Sequence, residues 1–189
     1  MTTGIWARYY GLATFGFGTA AVAIYLPMIN ITLAHLEAVS TLTPFDIRPL
    51  GYSPQEAAAL LGALGEEGRM YYLTRQIPLD TVYPALLALT LVFAVYWFRR
   101  DLPESKLARV GPWASVGAAI LDYAENLGVA AMILSWPNLP DHLVHATSAA
   151  TVAKSGTTTV AVLLVLLTGA NWVARTREGL QYQFCKFRL

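Results

Sequence analysis

Four long apolar stretches constrain this chain more than any other feature of its sequence. They cover approximately residues 11–33, 79–98, 112–135 and 143–173. A helix needs about 20 mostly apolar residues to cross the hydrocarbon core of a bilayer, and each stretch reaches that length. Charged residues make up 13% of the 189 residues, against about 25% in soluble domains. The sequence therefore predicts an all-α protein, a single domain built as a bundle of four transmembrane helices.

The segment between the first two stretches, residues 34–78, is predicted to be the main extramembrane piece. Ser53 and Glu56 have the spacing of a capping box, and Pro54 between them suits the first position of a helix. Together they predict a short amphipathic helix in this loop. Gly65 is predicted to end that helix, because glycine readily adopts the left-handed conformation of a C-terminal cap.

Basic residues predict how the bundle is oriented. Lys and Arg accumulate in the cytoplasmic loops of membrane proteins. Nine of them lie at the N-terminus, between the second and third spans, and in the C-terminal tail. We therefore expect an integral membrane protein with both termini in the cytoplasm, as in a bacterial inner membrane. The nine residues are Arg8, Arg99, Arg100, Lys106, Arg109, Arg175, Arg177, Lys186 and Arg188.

The third span carries three polar residues at the depth of the lipid tails, Asp122, Glu125 and Asn126. An ionisable side chain at the centre of a membrane helix costs about 2.5–3.5 kcal/mol on insertion scales. The spacing i, i+3, i+4 places all three on one helical face. Lys154 in the fourth span lies at a similar depth, within about one helical turn. It is therefore the expected partner of Asp122 or Glu125.

Lys154 belongs to a polar stripe with Thr147, Thr151 and Thr158, and the stripe has two interpretations. In one, the polar residues only hold the helices together, as they do in many membrane bundles. In the other, two acids facing one lysine leave a carboxyl group that can exchange a proton. On the second interpretation Glu125 or Asp122 is the catalytic acid or base, and Lys154 is its electrostatic partner.

The start of the second span adds polar residues that are predicted to lie above this face. Asp80 either caps the helix that restarts after Pro78 or lines the mouth of the same pocket together with Tyr83. The candidate ligand-binding residues are Asp80, Tyr83, Asn126, Tyr72, Arg69, Thr151 and Thr158.

The motif that begins at Phe45 in the first loop also has two interpretations. Asp46 and Arg48 could form a lid over the bundle through ion pairs. Alternatively, the segment is an ordinary exposed turn that leads into the capped helix.

Composition excludes several functions. A net charge of +1 argues against a nucleic-acid partner, because proteins that bind nucleic acids carry many basic residues to neutralise phosphates. The lone cysteine, Cys185, excludes an intrachain disulfide and a thiolate zinc cluster. His142 and His145 are too few to predict a metal site. We therefore expect no metal and no cofactor.

Short motifs along most of the chain carry a resemblance. They are Arg69-x-x-Tyr72, Pro78-Leu79-Asp80, Tyr83-Pro84 and Asp122-Tyr123-x-Glu125-Asn126. In these motifs the chain resembles small four-helix bacterial integral membrane proteins of unknown function. The resemblance implies a topology but no activity.

Three functions stay open at this stage. The first is binding or processing of a small amphipathic molecule or membrane lipid in a polar pocket, with proton transfer if the protein is an enzyme. The second is an accessory or structural subunit of a larger membrane complex, which would dock through the small residues of the first span, Gly16 and Gly18 among them. The third is a small proton-coupled transporter that acts as a homo-oligomer.

Overall fold

The fold is that of a computed structural model, which describes the backbone of residues 3–100, 102 and 105–186. Side chains are described for residues 9–100, 102 and 105–177. Of the predicted cytoplasmic basic residues, Arg188 and the side chains of Arg8 and Lys186 therefore lie outside the described part, as does the side chain of Cys185. The described backbone is helical throughout its regular elements, and four helices are long and apolar enough to cross a membrane. The predicted all-α four-helix transmembrane bundle is confirmed.

Two of the four membrane-crossing helices are composite, because a π-helical turn joins two α-helices end to end. The first composite helix is followed by a short 3-10 turn at Phe45–Ile47. In chain order the elements are α1 (Thr3–Pro27), a π-helix (Met28–Leu33), α2 (Ala34–Ser40), α3 (Pro54–Tyr71), a π-helix (Tyr72–Gln76), α4 (Ile77–Arg99), α5 (Lys106–Leu134) and α6 (Asp141–Lys186).

The segment between the first two predicted spans, residues 34–78, is mostly helical, and only residues 41–53 lie between the two composite helices. The backbone continues past Pro27 as the π-turn and then as α2, so the first helix extends to Ser40 and not only to residue 33. α5 and α6 also extend beyond the third and fourth spans predicted from the sequence, since α5 begins at Lys106 and α6 reaches Lys186.

The capping box at the start of α3 is present as predicted. The Ser53 hydroxyl accepts a hydrogen bond from the backbone N–H of Glu56, and Glu56 accepts one from the backbone N–H of Ser53. Gly65 interrupts the helix as predicted, with a φ of 63° in the left-handed region. A second helical stretch follows it to Tyr71, so α3 consists of two helical stretches joined by a kink at this glycine.

The interior of the bundle lies where α5 packs against α6 and α4 packs against α1 and α5. At the end that carries residues 41–53 and 135–140, which we call the loop end, α3 covers the bundle with a buried apolar face that includes Leu60, Leu61 and Leu64. Large apolar side chains such as Trp113 and Leu127 are instead exposed. An apolar exterior of this kind matches lipid as the surrounding solvent.

α5 and α6 approach each other closely at Gly128 and Thr147. A Cβ atom built at Gly128 would lie within 3 Å of three side-chain atoms of Thr147. Such a distance is far inside van der Waals contact, so only glycine fits there without a shift of the helices. This contact sets how near Glu125 and Thr151 come to each other one turn away.

We predict that Gly128→Ala lowers the free energy of unfolding by about 1–3 kcal/mol, the usual cost of overpacking. Gly16→Ala is the matched control, because a Cβ there meets no atom within 4 Å. Thermal unfolding of both variants in the same detergent measures the difference. Equal stability of the two variants would contradict the close packing of α5 on α6.

Candidate functional site

The centre of the bundle holds a three-residue ion cluster that links α5 to α6. The Lys154 ammonium lies 3.3 Å from Asp122 Oδ1 and forms a closer ion pair with Glu125 Oε2. All three residues are buried, with Glu125 1% exposed and the other two 9% exposed. The sequence left open which acid pairs with the lysine, and in the structure both do.

Neighbouring polar groups fix this cluster in place. Thr151 donates a hydrogen bond of 2.6 Å to the second carboxylate oxygen of Glu125. Asn126 donates one of 2.9 Å to the backbone carbonyl of Asp80, which ties α5 to α4. A buried ion pair is costly unless its remaining lone pairs and protons are satisfied. The threonine satisfies the Glu125 carboxylate on the side away from the lysine.

Asp80 does not act as a helix cap. The chain is already helical through the π-turn at Tyr72–Gln76, and no side chain caps the start of α4. The Asp80 side chain is instead buried, 3% exposed, and its Oδ2 atom has no hydrogen-bond partner among the described residues. A carboxylate oxygen left without a donor in the interior is unusual and indicates a functional role or an absent partner.

Residues 41–53, which we call the inserted loop, fold into the loop end of the bundle. Phe45 is fully buried, and its backbone N–H donates a hydrogen bond to the Tyr72 hydroxyl. The same hydroxyl donates a short hydrogen bond to Asp46 Oδ2, and Gln76 Nε2 donates one of 3.0 Å to Asp46 Oδ1. The interpretation of this segment as an exposed turn is therefore wrong. Arg48 does not bridge to Asp46, since its Nε donates to the carbonyl of Thr43.

The two π-turns hold the polar groups that receive the inserted loop. Thr32 in the first π-turn donates a hydrogen bond to Gln76 Oε1 in the second. The extra residue in a π-turn redirects the side chains that follow it, and such turns often occur at functional sites. Here the pair orients the Gln76 amide so that its NH₂ group faces Asp46.

The far end of the inserted loop is fixed to α6. Gly51 has a φ of 81°, and a Cβ there would lie 2.5 Å from Ser148 Oγ. The backbone N–H of Tyr52 donates a hydrogen bond of 2.8 Å to the same Ser148 oxygen. Tyr52 itself is buried, and removal of its phenol from water raises the pKa of that phenol well above the usual value.

A cavity of about 220 Å³ lies beside these groups, between α1 and α6. α1 packs mainly on α4, whereas α6 packs mainly on α5. The cavity occupies the space that this arrangement leaves between α1 and α6. Its wall combines charged side chains, two hydroxyl-bearing residues of α6, two tyrosines and apolar residues. The lining consists of Tyr25, Met28, Ile29, Leu33, Asp46, Ile47, Asp80, Tyr83, Leu87, Asp122, Lys154, Ser155 and Thr158.

The structure brings only some of the predicted site residues to this cavity. Asp80, Tyr83, Asp122, Lys154 and Thr158 line it.

The other predicted residues lie behind the wall or outside the site. Glu125, Asn126 and Thr151 support the wall from α5 and α6, and Tyr72 holds the inserted loop. Arg69 lies elsewhere, with its guanidinium over the Trp136 ring and hydrogen bonded to the carbonyl of Leu61.

The site residues predicted from the sequence did not include Asp46, Gln76, Thr32 or Ser155, although the lid interpretation named Asp46. One signal was available for Gln76, because it lies four residues from both Tyr72 and Asp80 and therefore shares their helical face. Asp46 gave no such signal, since a loop residue has no periodicity that predicts which way its side chain points.

The fold and site together define a four-helix transmembrane protein with a buried, acid-rich polar cluster beside a cavity. Within the described residues, no group of three or more His, Cys, Asp or Glu side chains is arranged to hold a metal ion. No protein-family model matches the chain, and neither a curated protein nor a solved structure matches it.

We predict that Lys154→Met destabilises the bundle by about 3–5 kcal/mol, because it leaves two buried carboxylates without a counter-charge. The triple variant Lys154→Met, Asp122→Asn, Glu125→Gln removes the charges together and should recover most of that loss. Thermal unfolding in one detergent compares the two. If Lys154→Met alone is as stable as the unsubstituted protein, the ion cluster does not hold α5 to α6.

Proposed function

We propose that this protein binds a small amphipathic molecule or a membrane lipid in the cavity between α1 and α6. The observation that carries the proposal is the composition of the cavity wall. Charged groups on α4, α5, α6 and the inserted loop line the same space as apolar side chains of the first π-turn, Met28, Ile29 and Leu33. A ligand with one polar end and one apolar end is the chemistry that such a wall suits.

The size of the cavity supports a ligand that is only partly enclosed. Pockets that surround a drug-sized molecule measure about 300–1,000 Å³, and this one measures about 220 Å³. It is therefore large enough for a head group and the first part of a tail. The rest of the tail would extend between α1 and α6 into the lipid.

If the bound molecule is also transformed, proton transfer is the reaction that the site supports. Asp122 lines the cavity and contacts Lys154, so a proton can pass between a ligand and this pair. Glu125 is not among the residues that line the cavity, but it forms an ion pair with Lys154 and would influence a ligand through that lysine. Asp122 is therefore the better candidate for the acid or base, and Glu125 and Lys154 would set its charge.

Filling the cavity tests the proposal. Thr158 lines the cavity, whereas its neighbour Thr159 is exposed on the outside of α6. We expect Thr158→Phe to lose an amphipathic molecule that co-purifies with the protein, and Thr159→Phe to retain it. Native mass spectrometry of the protein released from lipid nanodiscs measures the bound mass directly.

Both variants must melt within a few degrees of the unsubstituted protein for that comparison, and Ser155→Phe serves as a second cavity-filling variant. The proposal fails if no small molecule accompanies the unsubstituted protein and none binds when a mixed lipid extract is added. It also fails if the two Thr variants retain the same molecule equally.

A second function, an accessory subunit of a membrane complex, is favoured by one surface of α1. Gly18 faces Thr90 of α4 within the chain, but Gly16 faces outward with nothing within 4 Å of a built Cβ. A shallow groove of about 460 Å³ follows the same helix past Phe15 and Val22. Small residues on an exposed membrane face allow another helix to approach closely.

We further propose that both termini lie in the cytoplasm, so the loop end faces the outside. The lone cysteine near the C-terminus tests this in bacterial cells that express the protein. A membrane-impermeant maleimide should label Cys185 only after the cells are permeabilised. The exposed loop-end variant Glu67→Cys, made with Cys185→Ser, should be labelled in intact cells. The reverse pattern would invert the orientation.

A further inference from the structure

The charges around the cavity do not balance. Four carboxyl groups belong to its wall or contact the lysine that lines it, namely Asp46, Asp80, Asp122 and Glu125. Among the described residues that line the cavity, Lys154 is the one cationic side chain. A buried site with more acids than bases must take up positive charge from elsewhere or keep some acids neutral.

The lysine is already engaged by two of these acids. Asp122 and Glu125 both contact its ammonium, so their charges are at least partly compensated within the cluster. Asp46 and Asp80 also line the cavity, but neither forms an ion pair with this lysine in the part of the chain that the structure describes. Asp46 accepts hydrogen bonds from Tyr72 and Gln76. Asp80 Oδ2, by contrast, receives no hydrogen bond from any described residue.

The position of Asp80 indicates where a donor would come from. The residue is 3% exposed and is one of the residues that line the cavity. Its backbone carbonyl is occupied by Asn126, which fixes this turn of α4. A group that enters the cavity can therefore reach an acceptor that the protein has buried and left unpaired.

Two aromatic rings beside Asp80 add a second feature that suits a cation. The rings of Tyr25 and Tyr83 lie with their centroids 5.2 Å apart, and both residues line the cavity. Aromatic rings attract cations within about 6 Å of the ring centre, and the attraction grows when water is excluded. Tyr83 follows Asp80 by three residues, so both face the same side of α4.

We propose that the polar end of the ligand is an ammonium group, which donates a hydrogen bond to Asp80 and lies between Asp46 and the Tyr25–Tyr83 pair. The inference rests on the proposed function and narrows it to cationic amphiphiles. The apolar residues of the first π-turn contact the tail, and Asp46 reaches the head group only because the inserted loop carries it into the bundle. An ammonium is available both from a free amine and from a lipid head group.

Four radiolabelled probes with the same twelve-carbon chain test the inference. They are dodecylamine, lauroyl lysophosphatidylethanolamine, dodecanol and dodecanoate, added to the purified protein in dodecyl maltoside at neutral pH. Equilibrium binding should be saturable for the two ammonium probes and at least about tenfold weaker for the neutral and anionic ones, because those two cannot donate a charged hydrogen bond to Asp80. Preference for dodecylamine indicates a free amine, and preference for the lysolipid indicates a lipid head group.

Asp80→Asn should lower the affinity for the ammonium probes about tenfold or more, because it removes the charge but keeps the shape. Glu67→Gln, an exposed acid on α3, is the matched control and should leave binding unchanged. If Asp80→Asn does not fold, the charge selectivity of the unsubstituted protein still decides the question.

The possible failures are distinguishable. Dodecanol or dodecanoate binding as tightly as dodecylamine overturns the ammonium inference and leaves the proposed function standing. Equal loss of affinity in Asp80→Asn and Glu67→Gln overturns the role of Asp80. Binding of none of the four probes overturns both the inference and the proposed function.

Discussion

The ion cluster of Lys154 with Asp122 and Glu125 is the interaction on which the rest of the site depends. A single charge at this depth would be expelled from lipid, and a single ion pair would still leave lone pairs unsatisfied. One ammonium between two carboxylates, with Thr151 bound to the outer oxygen of Glu125, satisfies most of these groups. The cluster thereby fixes α6 against α5 and positions Asp122 and Lys154 on the cavity wall.

The remainder of the site comes from elements that interrupt regular helices. The π-turn after Pro27 positions Thr32, and the π-turn before α4 positions Gln76, so that the two side chains meet. Gln76 and Tyr72 then hold Asp46 of the inserted loop. Met28, Ile29 and Leu33 of the first π-turn and Asp46 of the inserted loop all line the cavity. Irregular backbone therefore supplies a large part of its wall, including one of its acids.

Much of the fold could be predicted from the sequence because the bilayer imposes a length and a composition that are easy to read. The four apolar stretches, the capping box at Ser53 and the shared face of Asp122, Glu125 and Asn126 all follow from local spacing. The inserted loop could not be predicted, because no periodicity indicates that Asp46 turns inward. The continuation of the first helix beyond Leu33 was also missed, because no local spacing in the sequence indicates that a π-turn joins α1 to α2.

A density map of the protein in native lipid is the most direct measurement of the central claim, that the polar cavity receives the head group of an amphiphile. We predict density for one polar head group within hydrogen-bond distance of Asp80 Oδ2, continuous with a tail that leaves between α1 and α6. Contradictory results would be a cavity closed by side chains, with Asp80 bonded to another protein residue, or one filled only by lipid tails. In either case the buried acids would serve only to pack the helices.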